Sequence, residues 1–261
     1  MTAPTRIVCL TEETVETLYL LGQEHRIAGV TGYAVRPKRV RAEKPRVGAF
    51  TSADIPKILA LSPDLVLTFS DLQADIAADL IRAGVEVMAF NQRDIAGILR
   101  MIRLLGRLVD CTDAADALAQ GYESRIADLT ARPPAHRPRV YFEEWDSPMI
   151  TSIGWVSELI DIAGGMDCFA HLRTEQAAQN RIVTSDQVIA AQPDIIVASW
   201  CGKKVRPEKI AARPGWADIP AVRSGRIIEI KSPLILQPGP AALGDGLDAL
   251  IAAIAVKETQ A

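Results

Sequence analysis

Short apolar runs alternate with helical patterns along most of the chain, and this alternation limits the possible folds more than any other feature. Most of the predicted helices in the first half end at a proline or glycine before the next apolar run begins, as at Pro63 and Gly84. The predicted strands there are Arg6–Leu10, Arg26–Thr31, Pro45–Phe50, Asp64–Phe69 and Val85–Phe90, and the helices are Thr11–Leu21, Ser52–Leu61 and Gln73–Ala83. Apolar strands separated by helices indicate a parallel sheet that helices cover on both faces.

Two consecutive helices interrupt the alternation in the middle of the chain. Ile95–Val109 is strongly apolar, whereas Asp113–Thr130 is more charged and is followed by Pro133 and Pro134. A helix of about 18 residues, at about 1.5 Å per residue, is a stiff rod roughly 27 Å long.

The strand and helix pattern then starts again. The strands predicted in this half are Arg139–Trp145, Asp194–Trp200 and Arg226–Ile230, and the helices are Val156–Ala163, Asp186–Ala191 and Ala241–Val256. We therefore predict an α/β protein with two lobes, each a mostly parallel sheet covered by helices, joined by one long rigid α-helix. The predicted boundaries are 1–111 for the first lobe, 112–134 for the bridging helix and 135–261 for the second lobe.

One internal repeat supports two related lobes. The segment Ile58–Leu67 matches Val188–Val197 at a constant offset, and each places Pro-Asp between a helix and a buried strand. We expect a duplicated lobe pattern, and the alternative is a chance likeness between two α/β units.

Composition excludes several classes of protein. With 49% hydrophobic residues among 261, the chain can bury a full core, so disorder is excluded. The formal net charge of −3 gives no reason to expect a nucleic-acid partner. No apolar run reaches the roughly 18 residues of a membrane span, and the start MTAPTRIVCLTEE does not look like an export signal. We expect a cytoplasmic monomer, or a periplasmic one if a leader was removed.

Four scattered cysteines predict a reduced compartment with buried thiols, because they form no CxxC pair. The spacing of histidines and cysteines predicts no metal site of the protein's own. Catalytic patterns are also weak: there are three histidines, no phosphate-binding glycine loop, and Glu143 and Glu144 fall on opposite faces of one strand. We therefore expect a binding protein and not an enzyme.

The ends of the predicted strands carry the candidate ligand contacts, because parallel sheets bind ligands at their carboxyl edge. Trp145 and Trp200 end two strands and are each followed by polar residues, so we predict that they form a ligand surface. The alternative for such aromatic residues is the core. Further candidates for ligand contact are Tyr33, Phe69, Cys201, Lys203, Lys204 and Arg206.

Two basic groups follow strand ends, one in each lobe. Lys203, Lys204 and Arg206 directly follow Trp200, and six cations with Glu43 alone lie between residues 36 and 46. Such groups would hold carboxylates or phosphates of an anionic ligand, and the alternative is a solvated surface. Cys201 beside these lysines could coordinate a ligand's metal centre as a thiolate, although a buried thiol without a ligand is the preferred interpretation.

Several motifs together resemble the cobalamin and iron–siderophore branch (class III, helical backbone) of the periplasmic substrate-binding proteins of ABC importers. They are RIVCLTEE at 6–13, RIAGVTGY at 26–33, PDLVL at 63–67, VSELIDIAGG at 156–165 and PDIIV at 193–197. The resemblance covers nearly the whole chain and looks closest to cobalamin-binding members. It implies that a ligand is clamped between two lobes and delivered to an ABC permease. Tyr33 and Phe69 match aromatic pocket positions of those members.

The resemblance also implies one acidic residue in each lobe for docking on the permease. Asp186 stands at the matching position in the second lobe, whereas the first lobe has Pro56, which cannot form a salt bridge, and Asp54 two residues earlier is the candidate substitute. We therefore expect a binding protein for a metal chelate, cobalamin or another corrinoid first and an anionic siderophore next, with no catalytic cofactor. The alternatives are a cytoplasmic cofactor sensor or chaperone, and an enzyme that acts on an anionic metabolite in the same cleft.

Overall fold

A computed structural model describes residues 3–255 and divides the chain into two units. Among these residues the first unit comprises the chain up to Gln92 together with Ala96–Gly121. The second comprises Arg93–Ile95 and the chain from Tyr122 onward. The predicted outer limits at residues 1 and 261, and the predicted helix end at Val256, lie outside the described residues.

The first unit is built on a four-stranded parallel sheet. The strands are β1 (Ile7–Cys9), β2 (Ile27–Val30), β3 (Leu65–Phe69) and β4 (Val87–Phe90), in the order β2-β1-β3-β4. The helices are α1 (Glu12–Leu20), α2 (Val40–Glu43), α3 (Ile55–Ala60), α4 (Ala74–Arg82) and α5 (Ile95–Leu108), and α6 (Thr112–Thr130) begins in this unit. The residues of β1 and β3 are all buried, which explains why these strands appear as continuous apolar runs.

The second unit contains a five-stranded sheet. Its strands are β5 (Arg139–Asp146), β6 (Met149–Thr151), β7 (Met166–Asp167), β8 (Ile195–Ala198) and β9 (Ile227–Glu229). Strands β7, β8 and β9 belong to the parallel part around β5, while β6 pairs with β5 in the antiparallel direction. The helices are α7 (Gly154–Ile162), α8 (Ser185–Ala191), α9 (Pro207–Ala211), α10 (Pro220–Arg223), α11 (Ser232–Ile235) and α12 (Leu247–Ile254).

The predicted fold class is confirmed, because each unit holds a mostly parallel sheet with helices between its strands. A 19-residue helix, α6, occupies the position predicted for the bridge. The boundary between the units falls inside this helix, between Gly121 and Tyr122. The predicted division into lobe, bridge and lobe therefore stays a prediction.

The predicted strand Pro45–Phe50 is wrong. Arg46 makes only an isolated parallel bridge with Val30, and Gly48 makes an isolated antiparallel bridge with Ala53. The backbone N–H of Ala49 donates to the carbonyl of Ser52, so the chain turns back on itself before a ladder can form. The predicted helix Ser52–Leu61 is correspondingly shorter and begins at Ile55, where Asp54 caps it.

The two Pro-Asp segments occupy equivalent places in the two sheets. Asp64 precedes β3 and accepts hydrogen bonds from the backbone N–H groups of Thr5 and Arg6, just before β1. Asp194 precedes β8 and accepts one from the backbone N–H of Arg139, the first residue of β5. Each aspartate therefore joins the starts of two paired parallel strands, although duplication itself stays a prediction.

Among residues 3–255, no helix combines the length and the apolar character needed to span a bilayer.

Candidate functional site

Trp145 and Trp200 come together with Lys203 at the carboxyl end of β5 and β8. The ammonium of Lys203 lies 5.3 Å from the ring centroid of Trp145 and 4.9 Å from that of Trp200, which are cation–π distances. Its Nζ also lies 2.6 Å from Oδ2 of Asp146. We call these four residues the tryptophan–lysine cluster. The sequence predicted the two tryptophans and the lysine but not the aspartate.

The two tryptophans differ in accessibility. Trp145 is half-buried and its indole N–H donates to the carbonyl of Ser147, whereas Trp200 is only 3% exposed and belongs to the core of the second unit. The indole N–H of Trp200 donates to Oε1 of Glu143, 3.1 Å away. Trp200 therefore packs in the core, which was the alternative for these aromatic residues, and Trp145 presents the more accessible ring. Whether either ring contacts a ligand stays a prediction.

A buried polar network lies under the cluster and holds it in place. The carboxylate of Glu143 is fully buried and accepts hydrogen bonds from Trp200, from the hydroxyl of Tyr141 at 3.1 Å and from Arg213 at 2.9 Å. The guanidinium of Arg213 also stacks 4.6 Å from the ring centroid of Trp216. Because Glu143 and Arg213 are far apart in the sequence, no local pattern could have revealed this pair.

Burial and charge shift the pKa values in this network. Burial and the neighbouring carboxylate of Glu143 raise the pKa of Tyr141, so this tyrosine stays a hydrogen-bond donor. Burial alone would lower the pKa of Arg213, but its hydrogen bonds to Glu143 and the charge of that carboxylate together raise it. Glu143 is therefore held opposite a permanent cation.

Two of the three cations of the predicted patch have acidic partners. Lys203, Lys204 and Arg206 are exposed, as predicted. However, Lys203 pairs with Asp146, and Arg206 lies 3.7 Å from Glu208. Close to them, Lys231 pairs with Glu229. Burial alone would raise the pKa of Glu229, but hydrogen bonds from Lys231 and from the backbone N–H of Val205, together with the charges of Lys231 and Lys204, lower it. Asp146 and Glu229 were missed because they lie on other strands, β5 and β9, whereas Glu208 lies only two residues after Arg206.

Cys201 is exposed, so the prediction that its thiol is buried is wrong. It follows the buried Trp200 directly, at the point where the chain leaves the core and enters a turn. Cys9 is buried, whereas Cys111 and Cys168 are partly accessible, so the broader prediction of buried thiols holds only for Cys9. No group of side chains within residues 3–255 has the composition and spacing to hold a metal ion.

In the first unit, Tyr33 and Phe69 both lie near the carboxyl edge of the sheet. Tyr33 is 47% exposed after β2, whereas Phe69 is buried at the end of β3. The side chain of Gln73 organises this edge: its Oε1 accepts from the N–H of Phe69, and its Nε2 donates to the carbonyls of Leu10 and Phe50. The roles of Tyr33 and Phe69 in ligand binding stay predictions.

Two carboxyl groups missed by the sequence analysis lie at the same edge, at the start of α1 and directly after β1. Glu13 is 2% exposed, and its Oε1 has no hydrogen-bond partner among the described residues. Burial, and then the charge of Glu12, raise the pKa of Glu13 to about 8, and burial raises the pKa of Glu12 to about 7. Adjacent glutamates after an apolar strand were the available signal.

At least three of the six basic residues between 36 and 46, namely Arg36, Arg39 and Lys44, are bonded to other residues of the first unit. Arg36 Nε pairs with Glu16 at 2.8 Å, and Arg39 pairs with Glu24 and Glu43. The expectation that this group faces a ligand overlooked Glu16 and Glu24, which lie on earlier segments.

The two candidate docking residues are both exposed, each in its own unit. Asp186 lies in the first turn of α8. Asp54 caps α3, where its Oδ1 accepts from the N–H of Lys57 at 3.0 Å, and Pro56 lies inside the same helix. Their role in docking stays a prediction.

The second unit also contains a cavity of about 310 Å³ that the sequence did not predict. Its polar lining residues include Arg93, Asp94, Glu158, Arg173, Glu175 and Gln176. These residues come from the segment before α5, from α7 and from the loop after β7, so no single motif contains them.

Comparison with known proteins identifies relatives of this chain. It is 25% identical over 250 residues to the uncharacterized ABC transporter substrate-binding lipoprotein YvrC of Bacillus subtilis, covering 91% of this chain and 76% of that protein. It is 24% identical over 246 residues to the cobalamin-binding protein of Halobacterium salinarum, covering 91% of this chain but only 66% of that protein. Among solved structures, the apo periplasmic heme-binding protein RhuT of Roseiflexus sp. RS-1 matches with a TM-score of 0.80 and 25% identity, over 96% of this chain and 99% of that one.

The predicted cytoplasmic location is wrong. YvrC is named as a lipoprotein and RhuT as a periplasmic protein, and these relatives point to an extracytoplasmic location instead. The sequence-based expectation rested on the start of the chain alone.

The resemblance noted in the sequence is confirmed by a family model described as periplasmic binding protein, which matches residues 7–234. Because this match spans both sheets, the chain belongs to the periplasmic binding protein family.

Proposed function

We propose that this protein binds a metal chelate without transforming it, and that it presents the chelate to an ABC permease for uptake. The relatives support this class of ligand, since one is named for cobalamin and a structural neighbour for heme. The observation that carries the proposal is the tryptophan–lysine cluster at the carboxyl edge of β5 and β8. It offers the half-buried ring of Trp145 with the ammonium of Lys203 fixed beside it, an aromatic contact that suits a large planar ligand.

The buried network supports the same role. A binding surface is effective when it is held in place before the ligand arrives, because less conformational entropy is then lost on binding. Glu143 accepts hydrogen bonds from Trp200 and Arg213, and Asp146 forms an ion pair with Lys203, so these side chains are held in place. Tyr33 and Phe69 of the first unit are proposed as additional aromatic contacts, and the exposed Cys201 as a contact near the cluster.

The direct test is a titration with chelates of three classes: cyanocobalamin, hemin and ferrichrome. We expect at least one of them to quench tryptophan fluorescence in the micromolar range, and Trp145→Ala to weaken its binding by about tenfold or more. Met166→Ala is the matched control, because Met166 is an exposed apolar residue of the same unit outside the cluster, and it should bind as the wild type does. Absence of binding by all three chelates would contradict the proposal.

Docking on a permease is proposed for Asp186 and Asp54, which are exposed and lie in different units. Asp186→Lys should reduce chelate uptake in cells that contain the transporter while leaving the affinity of the purified protein for the chelate unchanged. A lowered affinity would instead place Asp186 in the ligand site.

A further inference from the structure

Strand β5 has one extra residue in its pairing with β6, directly before Trp145 of the tryptophan–lysine cluster. Glu143 pairs with Thr151. Trp145, two residues further on, pairs with Ile150, which is only one residue away on β6. Glu144 is therefore the extra residue of a β-bulge. A bulge bends its strand and changes the direction of the side chains that follow, and the first of these is Trp145.

The side chain of Arg181 holds this bulge from a third segment of the chain. It is only 1% exposed and comes from a short helix, Ala178–Arg181. Its Nη1 donates to Oε2 of Glu144 and to the carbonyl oxygen of Thr151, each 2.5 Å away, and its Nη2 donates to Oε1 of Glu144 at 3.3 Å. The guanidinium therefore bonds both the extra residue on β5 and the strand opposite it.

The backbone that follows Arg181 is itself bonded to β6. Ile182 forms an isolated antiparallel bridge with Ile150, and the backbone N–H of Val183 donates to the carbonyl oxygen of Met149 at 2.9 Å. The segment that carries the guanidinium is thus tied to the same pair of strands that the guanidinium bonds.

A buried ion pair suits the fixing of one conformation better than the gain of stability. Removing two charges from water is costly, and apolar residues of the same size often stabilise a fold as well, whereas the selection of one register is the best attested use of such a pair. The carboxylate of Glu143 already has Arg213 as its cation. The pair of Glu144 with Arg181 is therefore a second, separate pair at the end of the same strand.

We propose that Arg181 and Glu144 are positioning residues for Trp145. They hold the bulge in one geometry, so that the ring of Trp145 stands beside Lys203 before the chelate arrives, and neither of them touches the chelate. A contact that is fixed in advance loses less conformational entropy on binding. This inference rests on the proposed function and adds two residues outside the cluster on which the affinity for the chelate depends.

The first test measures affinity by calorimetric titration of the full chain with whichever of cyanocobalamin, hemin and ferrichrome binds the wild type most tightly. Arg181→Met keeps the length of the side chain but removes its charge and its donors, and we expect it to weaken binding by about fivefold or more. Glu144→Gln removes the opposite charge with little change of shape, so it should weaken binding in the same direction. Ile160→Ala is the control: it removes a buried side chain of α7 outside the cluster and should bind as the wild type does.

A double-mutant cycle separates positioning from general support of the fold. If Arg181 acts through Trp145, Arg181→Met should change the affinity of Trp145→Ala by less than about twofold, because the ring that it positions is already gone. If Arg181→Met does not fold, Glu144→Gln takes its place in the cycle. An equal loss of affinity in the wild type and in Trp145→Ala would overturn the inference, and so would wild-type affinity of the folded variants.

Tryptophan fluorescence of the chelate-free protein gives a readout that needs no ligand. Trp145 is half-buried, whereas each of the other three tryptophans is at most 3% exposed, so quenching by acrylamide reports chiefly on Trp145. We expect steeper quenching in Arg181→Met and Glu144→Gln and an unchanged slope in Ile160→Ala. Wild-type quenching in the first two variants would overturn the inference while leaving chelate binding intact. If none of the three chelates binds the wild type, the proposed function fails, and the quenching still tests what positions Trp145.

Discussion

Glu143 is the residue on which the candidate site of the second unit depends most. Its buried carboxylate receives hydrogen bonds from Tyr141, Trp200 and Arg213, which come from three different segments. A buried charge that loses its partner is strongly destabilising, whereas an exposed pair contributes little.

Glu143→Gln should lower the free energy of unfolding by about 3 kcal/mol, because Arg213 would keep its charge without a carboxylate to balance it. Urea denaturation followed by tryptophan fluorescence measures the change. Glu208→Gln, in an exposed pair with Arg206, is the control and should alter the same quantity by no more than about 0.5 kcal/mol. Equal changes in the free energy of unfolding for the two variants would show that the buried network does not stabilise the fold.

Glu13 gives the first unit a characteristic dependence of stability on pH. Its pKa is raised from 4.5 to about 8 by burial and by Glu12, so the folded protein holds a proton that the unfolded chain releases. Between these two pH values the folded state binds more protons than the unfolded state, and stability therefore falls as pH rises.

We expect the free energy of unfolding to decrease from pH 5 to pH 8, by up to about 1.4 kcal/mol per pH unit for this group. Glu13→Gln, which resembles the protonated acid, should weaken the dependence, and Glu86→Gln at an exposed position should not change it. Denaturation curves at several pH values test this, and an unchanged slope in Glu13→Gln would contradict the assignment.

At the scale of elements, helices α5 and α6 pack closely at a glycine within the first unit. A Cβ atom at Gly106 would lie 2.1 Å from Cβ of Ala115, whereas one at Gly121 would meet nothing within 4 Å. The two glycines thus offer the same substitution in different surroundings.

Gly106→Ala should destabilise the protein, because the helices must move apart and the loss of packing exceeds the gain in helix propensity. Gly121→Ala should stabilise it by up to about 1 kcal/mol, since only the propensity changes. The midpoints of urea unfolding compare the two variants. Stabilisation by Gly106→Ala would mean that the helices are not in close contact.

The sequence predicted the elements well where burial produces a periodic pattern. β3 and β8 are buried throughout and appear as apolar runs between a Pro-Asp and polar residues. The segment 45–50 also contains apolar residues, but it includes Arg46 and Gly48 and turns back after Gly48. Local sequence patterns therefore predict which segments are buried better than they predict which strands pair.

The candidate site was predicted only where its residues lie at a strand end or within a few residues after it. Trp145, Trp200 and Lys203 were found in this way and lie together. Asp146 as the partner of Lys203, Arg213 as the partner of Glu143, and the cavity residues were missed, because each contact joins segments far apart in the chain. The burial of Trp200 was missed for the same reason.

At the scale of the whole molecule, the chain combines two parallel sheets, aromatic groups at their carboxyl edges and membership of the periplasmic binding protein family. The proposed function follows from this combination more than from any single residue. The proposed function requires that one chain bind one chelate when the chelate and the protein are present at similar concentrations.

Native mass spectrometry tests this requirement most directly. The purified chain is equilibrated with an equimolar mixture of cyanocobalamin, hemin and ferrichrome, and free chelate is removed before measurement. We predict a species in which one chain carries the mass of one chelate, with the corrinoid as the favoured adduct. A spectrum that shows only the chain without ligand, although all three chelates were present, would contradict chelate binding.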